Sequence, residues 1–353
     1  MGVDLGELCV KQPIRLEELA GRTLAIDAYN TLYQFLATIR QPDGTLLMDA
    51  HGRVTSHLTG LFNRTASLVE AGILPVFVFD GPPSPLKRAT LDLRAQVKER
   101  ARAAYDEALK AGDVERARMK AQQTSRLEPS MVAQAKDLLD GLGLPWVEAP
   151  GEGEAQAVFL VQAGAAWAVG SQDYDSVIFG APRLVRNLSI TGRRKLPGRQ
   201  AWVDVEPELI PLSETLHHLK LSREQLIDVA LLVGTDFNPG VPGIGPKTAL
   251  DLLQEHRTLE IILEKAESEE GHVWKKLRAG QDGLGDFEAV RNLFLEPRVS
   301  PAPAIKPGRL DEGRVRQMLV DEHQFSADRV ENQLARYRAS KVYRHQRTLS
   351  DWG

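Results

Sequence analysis

The stretch AWAVGSQDYD, residues 166–175, places Asp173 and Asp175 directly after a short apolar run. The composition of this apolar run is typical of a buried β-strand. Two similar runs, TLAID (23–27) and ILPVFVFD (73–80), also end in aspartate, and helical patterns separate the three. Strands that alternate with helices predict an α/β fold, with a mostly parallel central sheet flanked by helices.

Length and composition set the broad class. A chain of 353 residues is long enough for one large domain with lobes or for two domains. Its hydrophobic fraction of 42% and charged fraction of 26% are typical of a globular enzyme, and no apolar run is long enough for a membrane span. Cys9 is the only cysteine and the N-terminus lacks an apolar signal core, so we expect an intracellular setting.

The charge is unevenly distributed. The net charge is −4, yet residues 87–126 carry eleven Lys or Arg against six acids. Residues 181–201 carry six basic residues and no acid, and residues 333–347 carry five and none. Basic stretches on an acidic chain indicate a polyanionic partner such as nucleic acid, although solvated helix faces would give the same pattern.

Several helices can be placed from their end signals. Residues 84–112 predict one long charged helix. Ser222 and Gln225 have the spacing of a capping box at the start of an apolar helix. A glycine-rich turn then leads into a helix with Pro246 near its first position. The chain after Arg338 is expected to be weakly ordered.

Acidic residues follow the strands and begin or end helices. The carboxyl ends of parallel strands lie along one edge of a sheet, where such folds bind ligands, so these acids should meet. Converging carboxylates repel one another unless a cation lies among them. Oxygen ligands without His or Cys favour Mg²⁺ or Mn²⁺, and two such ions can activate a water and stabilise the leaving oxygen of a phosphodiester. The candidate ligands are Asp27, Asp80, Glu152, Glu154, Asp173, Asp175 and Asp236. For any single aspartate, a turn residue or helix cap is the alternative reading.

Eight blocks of the sequence resemble, in the same order, the flap endonucleases of the structure-specific 5′ nuclease superfamily. The blocks are GVDLGEL, AIDAYNTLYQFL, GRVTSHLTGLFNRT, PVFVFDGPP, EAPGEGEAQA, SQDYDSVIFG, LLVGTDFNPGVPGIGPKTAL and QRTLSDW. They are distributed over nearly the whole chain, from residue 2 to residue 352. Because no basic extension follows the last block, the chain resembles archaeal members more than eukaryotic ones.

The resemblance implies a single nuclease domain over 1–337. Within it, a helical gateway and cap would span about 84–130, and a helix-two-turn-helix DNA-binding element about 222–256. The implied activity is hydrolysis of one phosphodiester near the base of a 5′ single-stranded flap, with 5′–3′ exonuclease activity, in DNA replication and repair. The protein would act as a monomer on branched DNA, with no membrane partner.

The resemblance also assigns roles in catalysis. Asp80, Glu152 and Glu154 would hold a first Mg²⁺, with Asp173 shared or adjacent; Asp175 and Asp236 would hold a second, with Asp27 acting through water. Lys87 and Arg94 match the family's catalytic basic pair, and their spacing of seven residues places both on one face of a helix. Without the resemblance, a solvated helix face would be the simpler reading of this pair.

Contacts with DNA follow in the same way. Tyr33 would stack on a base beside the scissile phosphate, and residues 40–60 would form a wedge at the duplex junction. Gly243 and Gly245 would let backbone N–H groups approach a phosphate, followed by Lys247 at a helix N-terminus. The implied DNA-binding set is Gly2, Tyr33, Arg40, Gly243, Gly245 and Lys247. The family also binds a monovalent cation in this loop, here 238–247.

The C-terminal segment 338–353 would be a flexible tail. Gln346, Leu349 and Trp352 resemble the peptide with which replication proteins dock on the sliding clamp (PCNA). Leu349 and Trp352 are three residues apart, so one helical turn can place both in a single apolar pocket.

Three alternatives remain. Another member of the superfamily, such as a resecting 5′ exonuclease or the excision-repair nuclease, has the same acids; the second is disfavoured because no long insertion precedes Glu152. A phosphatase of the aspartyl-phosphate type needs Asp-x-Asp after its first strand, where this chain has IDAYN. A junction-binding scaffold without activity would have no use for the acids.

Overall fold

The computed structural model describes residues 3–121, 124–188, 192–195 and 202–343. The strands are β1 Gln12–Pro13, β2 Thr23–Asp27, β3 Leu74–Phe79, β4 Trp146–Glu148, β5 Ala168–Gly170, β6 Arg183–Arg186, β7 Gly192–Lys195, β8 Trp202–Val205 and β9 Glu208–Pro211. The α-helices are α1 Ala28–Thr38, α2 Ser56–Glu70, α3 Arg88–Lys110, α4 Val114–Ala121, α5 Pro129–Gly141, α6 Gly153–Gln162, α7 Asp175–Ile178, α8 Leu212–Leu219, α9 Arg223–Val233, α10 Pro246–His256, α11 Leu259–Ser268, α12 His272–Gly280, α13 Phe287–Leu295, α14 Glu312–Arg316 and α15 Ala327–Ala339. Short 3-10 turns cover Leu16–Leu19, Pro85–Lys87 and Gln281–Leu284, and a π-helical turn covers Gln317–Glu322.

The chain forms two compact units. Unit 1 comprises Met1–Ile14, Asp80–Leu93 and Ala149–Ala302. Its strands β5 and β6 are parallel, with Gly170 opposite Val185, while β9 runs antiparallel to both β6 and β1. Strands β7 and β8 form a separate antiparallel pair.

Helices α9 and α10 of unit 1 begin as the sequence predicts. The Ser222 hydroxyl accepts a hydrogen bond from the backbone N–H of Gln225, and the Gln225 side chain accepts one from the backbone N–H of Ser222 at 2.9 Å. This is the predicted capping box, which satisfies two N–H groups that the first helical turn leaves without partners. Pro246 is the first residue of α10, where its missing N–H costs nothing.

Unit 2 comprises Arg15–Phe79, Arg94–Glu148 and Pro303–Gly353. Its strands β2, β3 and β4 are all parallel, and both β2 and β3 are almost entirely buried. Continuous apolar runs are typical of strands covered on both faces. Helix α15 packs on α2 through the stacked rings of Tyr337 and Phe62, and the Tyr337 hydroxyl donates to the Phe62 carbonyl at 2.8 Å.

The structure confirms the α/β class with mostly parallel strands, and it shifts three predicted boundaries. Strand β5 ends at Gly170, so Asp173 lies three residues beyond the strand rather than at its end. The predicted helix 84–112 begins instead as a 3-10 turn, since the Ser84 hydroxyl accepts from the Leu86 N–H and Pro85 takes the first position. The chain also stays packed beyond Arg338, because the buried Tyr343 hydroxyl donates to the Leu142 carbonyl at 2.5 Å. The single nuclease domain over 1–337 stays a prediction. Within the described residues, no helix combines the length and apolarity needed to cross a membrane.

Candidate active site

Asp80 and Glu152 lie at the N-terminus of helix α6 in unit 1. The Asp80 carboxylate accepts the N–H of Gly153, the first residue of α6, at 2.7 Å, and Glu152 is the residue that precedes the helix. A β-carbon on Gly153 would lie 2.5 Å from the Asp80 carboxylate, so only glycine permits this contact. Glu154 follows in the first turn, where the helix dipole favours negative charge.

Lys87 connects two of the predicted metal ligands. Its ammonium donates to Glu152 Oε2 at 2.6 Å and lies 3.4 Å from Asp236 Oδ2. The Lys87 side chain is only 15% exposed, and the ammonium lies 5.5 Å from the centre of the Phe237 ring. The lysine is therefore held at the acids rather than in solvent.

Asp173 and Asp175 follow strand β5 in a short turn. The Asp173 backbone N–H donates to the Ser171 hydroxyl at 3.2 Å, and Asp175 is the first residue of α7. The Asp175 side chain is buried and accepts the backbone N–H of Val3 at 2.8 Å. No local pattern could have predicted this donor, because Val3 and Asp175 are far apart in the sequence.

The electrostatics join these residues into one group. Burial, with further repulsion from Glu152 and Asp236, raises the pKa of Asp80 to about 6, although the Gly153 N–H and Lys87 oppose the shift. Burial raises the pKa of Asp175 to about 7, and the charges of Asp236 and Asp173 add to the effect. Both shifts arise chiefly from burial, and repulsion between neighbouring carboxylates adds to them.

The pKa of Lys87 is also raised, but by its charged neighbours rather than by burial. Burial alone would lower the pKa of its ammonium, but Glu152, Asp236 and Asp80 together raise it above the usual range. Lys87 is therefore charged at neutral pH and is the cation that offsets the acids.

The carboxylates suit a hard divalent cation by their chemistry. Their oxygen atoms are the ligands that Mg²⁺ and Mn²⁺ prefer, and the raised pKa values show that added positive charge would be favourable here. Among the described residues, however, no three Asp, Glu, His or Cys side chains are placed to hold one ion together. Mg²⁺ usually keeps several of its waters and is bound through only one or two carboxylates, so fewer than three side chains can hold an ion.

Asp27 belongs to unit 2 and has the role of a helix cap. It ends strand β2, is 5% exposed and accepts the backbone N–H of Asn30 at 2.9 Å, at the start of α1. This contact matches the alternative reading that the sequence left open for each aspartate. A part for Asp27 in metal binding stays a prediction.

Tyr33 and Arg94 belong to a basic cluster of unit 2. The ammonium of Lys98 lies 4.7 Å from the centre of the Tyr33 ring. Burial lowers the pKa of Lys98, and the nearby charges of Arg94 and Arg126 lower it further. Sequence reasoning missed Lys98, although its position one helical turn after Arg94 could have indicated it.

Arg40 holds the start of the predicted wedge. Its guanidinium donates to the carbonyls of Leu36 at 2.8 Å and Gly44 at 2.7 Å, and to the Ser125 hydroxyl at 2.8 Å. Short bridges at Arg40–Leu46 and Met48–Val54 fold this segment into two tight turns. Arg40 therefore has a structural role, and its contact with DNA stays a prediction.

The glycine-rich loop before α10 lies beside lysines of two helices, Lys247 of α10 and Lys276 of α12. Gly243 has a φ of +81°, and its carbonyl accepts the ammonium of Lys276 at 3.0 Å. Gly245 directly precedes α10, and its α-carbon faces open space. Lys247 pairs with Glu7 at 3.0 Å, but both side chains are exposed and such pairs contribute little. Gly2 and the predicted clamp-binding residues Gln346, Leu349 and Trp352 lie outside the described residues.

Three family models match the chain in order, and they define its class as a nuclease. They are the XPG N-terminal domain over residues 5–101, the XPG I-region over 143–236, and the 5'-3' exonuclease, C-terminal SAM fold over 221–293. The candidate acids Asp80, Glu152, Asp173, Asp175 and Asp236 all fall within the first two.

Flap endonucleases are among the proteins most similar to this chain in sequence and in structure. Flap endonuclease 1 of Caldivirga maquilingensis is 50% identical over 346 residues, which is 96% of each chain. The structure of flap endonuclease-1 from Methanococcus jannaschii matches with a TM-score of 0.74 at 37% identity, over 98% of this chain and 100% of that one. The catalytic core of Rad2, solved in complex with DNA substrate, matches in fold with a TM-score of 0.70 at 24% identity, over 94% and 97%.

The chain belongs to the flap endonuclease family. It is an enzyme, a divalent-metal-dependent nuclease, and it is archaeal-like, since its relatives at high identity are mainly archaeal. The relationship predicted from the eight sequence blocks is thus confirmed.

Proposed function

We propose that the acids around Lys87 are the site at which this flap endonuclease hydrolyses DNA at the base of a 5′ flap. The contact of Lys87 with both Glu152 and Asp236 carries the proposal. A buried cation between two carboxylates, beside acids with raised pKa values, marks a pocket that needs positive charge to stay ionised.

Two Mg²⁺ ions would be held by carboxylates of unit 1. Asp80, Glu152 and Glu154, with Asp173 shared or adjacent, would serve the first ion, and Asp175 and Asp236 the second; Mn²⁺ would substitute for Mg²⁺. Such ions, when bound, supply a water of lowered pKa and neutralise charge on the reacting phosphate. The role of Asp27 would be indirect, through water.

Lys87 would then change partners. Where metal ions take up the charge of Glu152 and Asp236, the ammonium is free to donate to a phosphate oxygen. The 3-10 turn Pro85–Lys87 fixes the backbone position of Lys87, so the ammonium stays near the pocket. Arg94, from helix α3, would stabilise the same phosphate as negative charge builds up in the transition state.

Residues elsewhere would hold the substrate. Tyr33 would stack on an unpaired base, and Lys98 beside its ring would add charge for the adjacent phosphate. The basic helices of the segment 84–130 would cover the single strand, while Gly2, Arg40 and the wedge 40–60 would bind the junction. Gly243, Gly245 and Lys247 would bind the downstream duplex, with a monovalent cation in the same loop.

Cleavage of a labelled 5′ flap in Mg²⁺ tests the proposal. Asp175→Asn should reduce the cleavage rate by at least a hundredfold and change the flap Kd measured in EDTA by less than threefold, because a metal ligand acts in the chemical step. Asp251→Asn is the matched control, since Asp251 is an exposed aspartate of α10 in the same unit. Wild-type cleavage by the Asp175 variant would refute the assignment.

A further inference from the structure

Arg186 lies beside the turn that carries two of the candidate metal ligands. It is the last residue of β6, whose neighbour β5 ends at Gly170, opposite Val185. The turn 171–174 follows β5, so Arg186 and the turn lie at the same end of two parallel strands. In the sequence, Arg186 is one of the six basic residues of the stretch 181–201.

The guanidinium of Arg186 contacts this turn in three ways. Its Nε donates to the carbonyl of Gln172 at 3.0 Å. Its central carbon lies 4.1 Å from the centre of the Tyr174 ring, and its Nη1 donates to the Tyr174 hydroxyl. Nη1 also lies 3.6 Å from Glu208 on β9, which helps to fix the side chain.

These contacts bracket the acids in the sequence. Gln172 and Tyr174 are the two neighbours of Asp173, and Tyr174 directly precedes Asp175. Tyr174 is 6% exposed, and a β-carbon on Gly6 would lie 2.9 Å from its hydroxyl, so the ring is enclosed on that side too. Because Arg186 contacts the residues on both sides of Asp173, it limits how the turn 171–174 can rotate.

We propose that Arg186 is a positioning residue that holds the turn 171–174 so that Asp173 and Asp175 face the metal site. The proposal rests on the metal-binding role assigned above to these two acids. Groups that orient metal ligands through hydrogen bonds are part of a metal site, and their loss typically costs ten- to a hundredfold in metal affinity.

The arrangement depends on the shape of the guanidinium rather than on its charge. One planar group donates from Nε to a carbonyl and from Nη1 to a hydroxyl while it stacks on a ring, which the single ammonium of lysine cannot do. Arg186→Lys should therefore weaken metal binding as much as removal of the charged group does, although lysine keeps a positive charge next to Glu208.

Binding of Mn²⁺ to the DNA-free protein, measured from the electron paramagnetic resonance signal of free Mn²⁺, tests the proposal. We expect Arg186→Met and Arg186→Lys to weaken Mn²⁺ affinity by about tenfold, and Tyr174→Phe, which removes only the hydroxyl, to weaken it less. Excess Mg²⁺ should restore most of the kcat for flap cleavage in both Arg186 variants, which a general loss of structure would not permit.

Arg183→Met is the matched control. Arg183 begins the same strand, donates its Nε to the Trp167 carbonyl at 2.7 Å and stacks on the Trp167 ring at 4.9 Å. It therefore has the same kinds of contact at the other end of β6. We expect the Mn²⁺ affinity of the Arg183→Met variant to stay within about twofold of wild type.

Two results separate the possible failures. If Asp175→Asn weakens Mn²⁺ binding while a folded Arg186→Lys variant binds like wild type, the positioning role is refuted and the metal site stands. If Asp175→Asn itself binds Mn²⁺ like wild type, the metal assignment is refuted, and the role of Arg186 with it. Equal losses in the Arg183 and Arg186 variants would also overturn the proposal.

Discussion

Replacing Asp175 by asparagine should stabilise the metal-free protein at neutral pH. Asp175 is buried, and the folded protein raises its pKa from 3.8 to about 7, first by burial and then by the charges of Asp236 and Asp173. Asparagine has a similar shape, and its oxygen can still accept the N–H of Val3. The variant thus removes one buried negative charge and keeps the hydrogen bond.

The sign of the effect follows from linkage. A carboxyl whose pKa is higher in the folded state than in the unfolded state contributes most to stability below the unfolded pKa of 3.8, where it is protonated in both states. This contribution is lost as the pH rises through the folded pKa of about 7. Each pKa unit is worth about 1.4 kcal/mol, so the full shift sets an upper limit of about 4 kcal/mol. Because Asp173 and Asp236 share the repulsion, we expect the substitution to recover about 2 kcal/mol.

Thermal unfolding in EDTA at pH 5 and pH 8 measures the effect. At pH 8 the Asp175→Asn variant should have a Tm about 3 °C above wild type, and at pH 5 the difference should shrink to less than half. Added Mg²⁺ should then raise the Tm of wild type more than that of the variant, since binding of an ion stabilises the folded state. A variant that is destabilised equally at both pH values would show that the charge of Asp175 carries no such penalty.

Three further predictions concern Lys87, Tyr33 and the C-terminal segment. Lys87→Met should lower kcat on a 5′ flap by about a hundredfold or more with less than a threefold change in flap Kd; an equal loss in both would mean that Lys87 only binds DNA. Tyr33→Ala should weaken flap binding by about tenfold and Tyr33→Phe should not, because stacking needs the ring alone; a loss with phenylalanine would assign the effect to the hydroxyl. Deletion of 344–353 should leave cleavage of short flaps unchanged but reduce stimulation by a sliding clamp, and stimulation equal to that of the full chain would refute the tail assignment.

Much of the fold follows from local sequence signals. The apolar runs that end in aspartate gave β2 at its observed bounds and β3 within one residue of its ends, because strands buried on both faces need continuous apolar sequence. Ser222 and Pro246 marked helix starts because capping depends only on residues in the same turn. The same logic failed at Lys87, where Ser84 and Pro85 favour a 3-10 turn before α3.

The details of the site could not be read in this way. The Val3 N–H that binds Asp175 and the Arg186 guanidinium that holds Tyr174 reach their partners through tertiary structure. Lys98 resembled any other charged residue of a helix until its position over Tyr33 was seen. Sequence therefore predicts the type of chemistry well, whereas the groups that orient it are set by packing between distant segments.

If carboxylates of unit 1 bind divalent ions and Lys87 balances their charge without them, metal ions should appear in a crystal soaked in Mn²⁺ and measured at the manganese absorption edge. We expect anomalous peaks within bonding distance of Asp80, Glu152, Asp175 or Asp236. The Lys87 ammonium should have moved away from at least one of its two carboxylates. Well-ordered carboxylates with no peak beside them, and Lys87 still bound to both Glu152 and Asp236, would contradict both expectations.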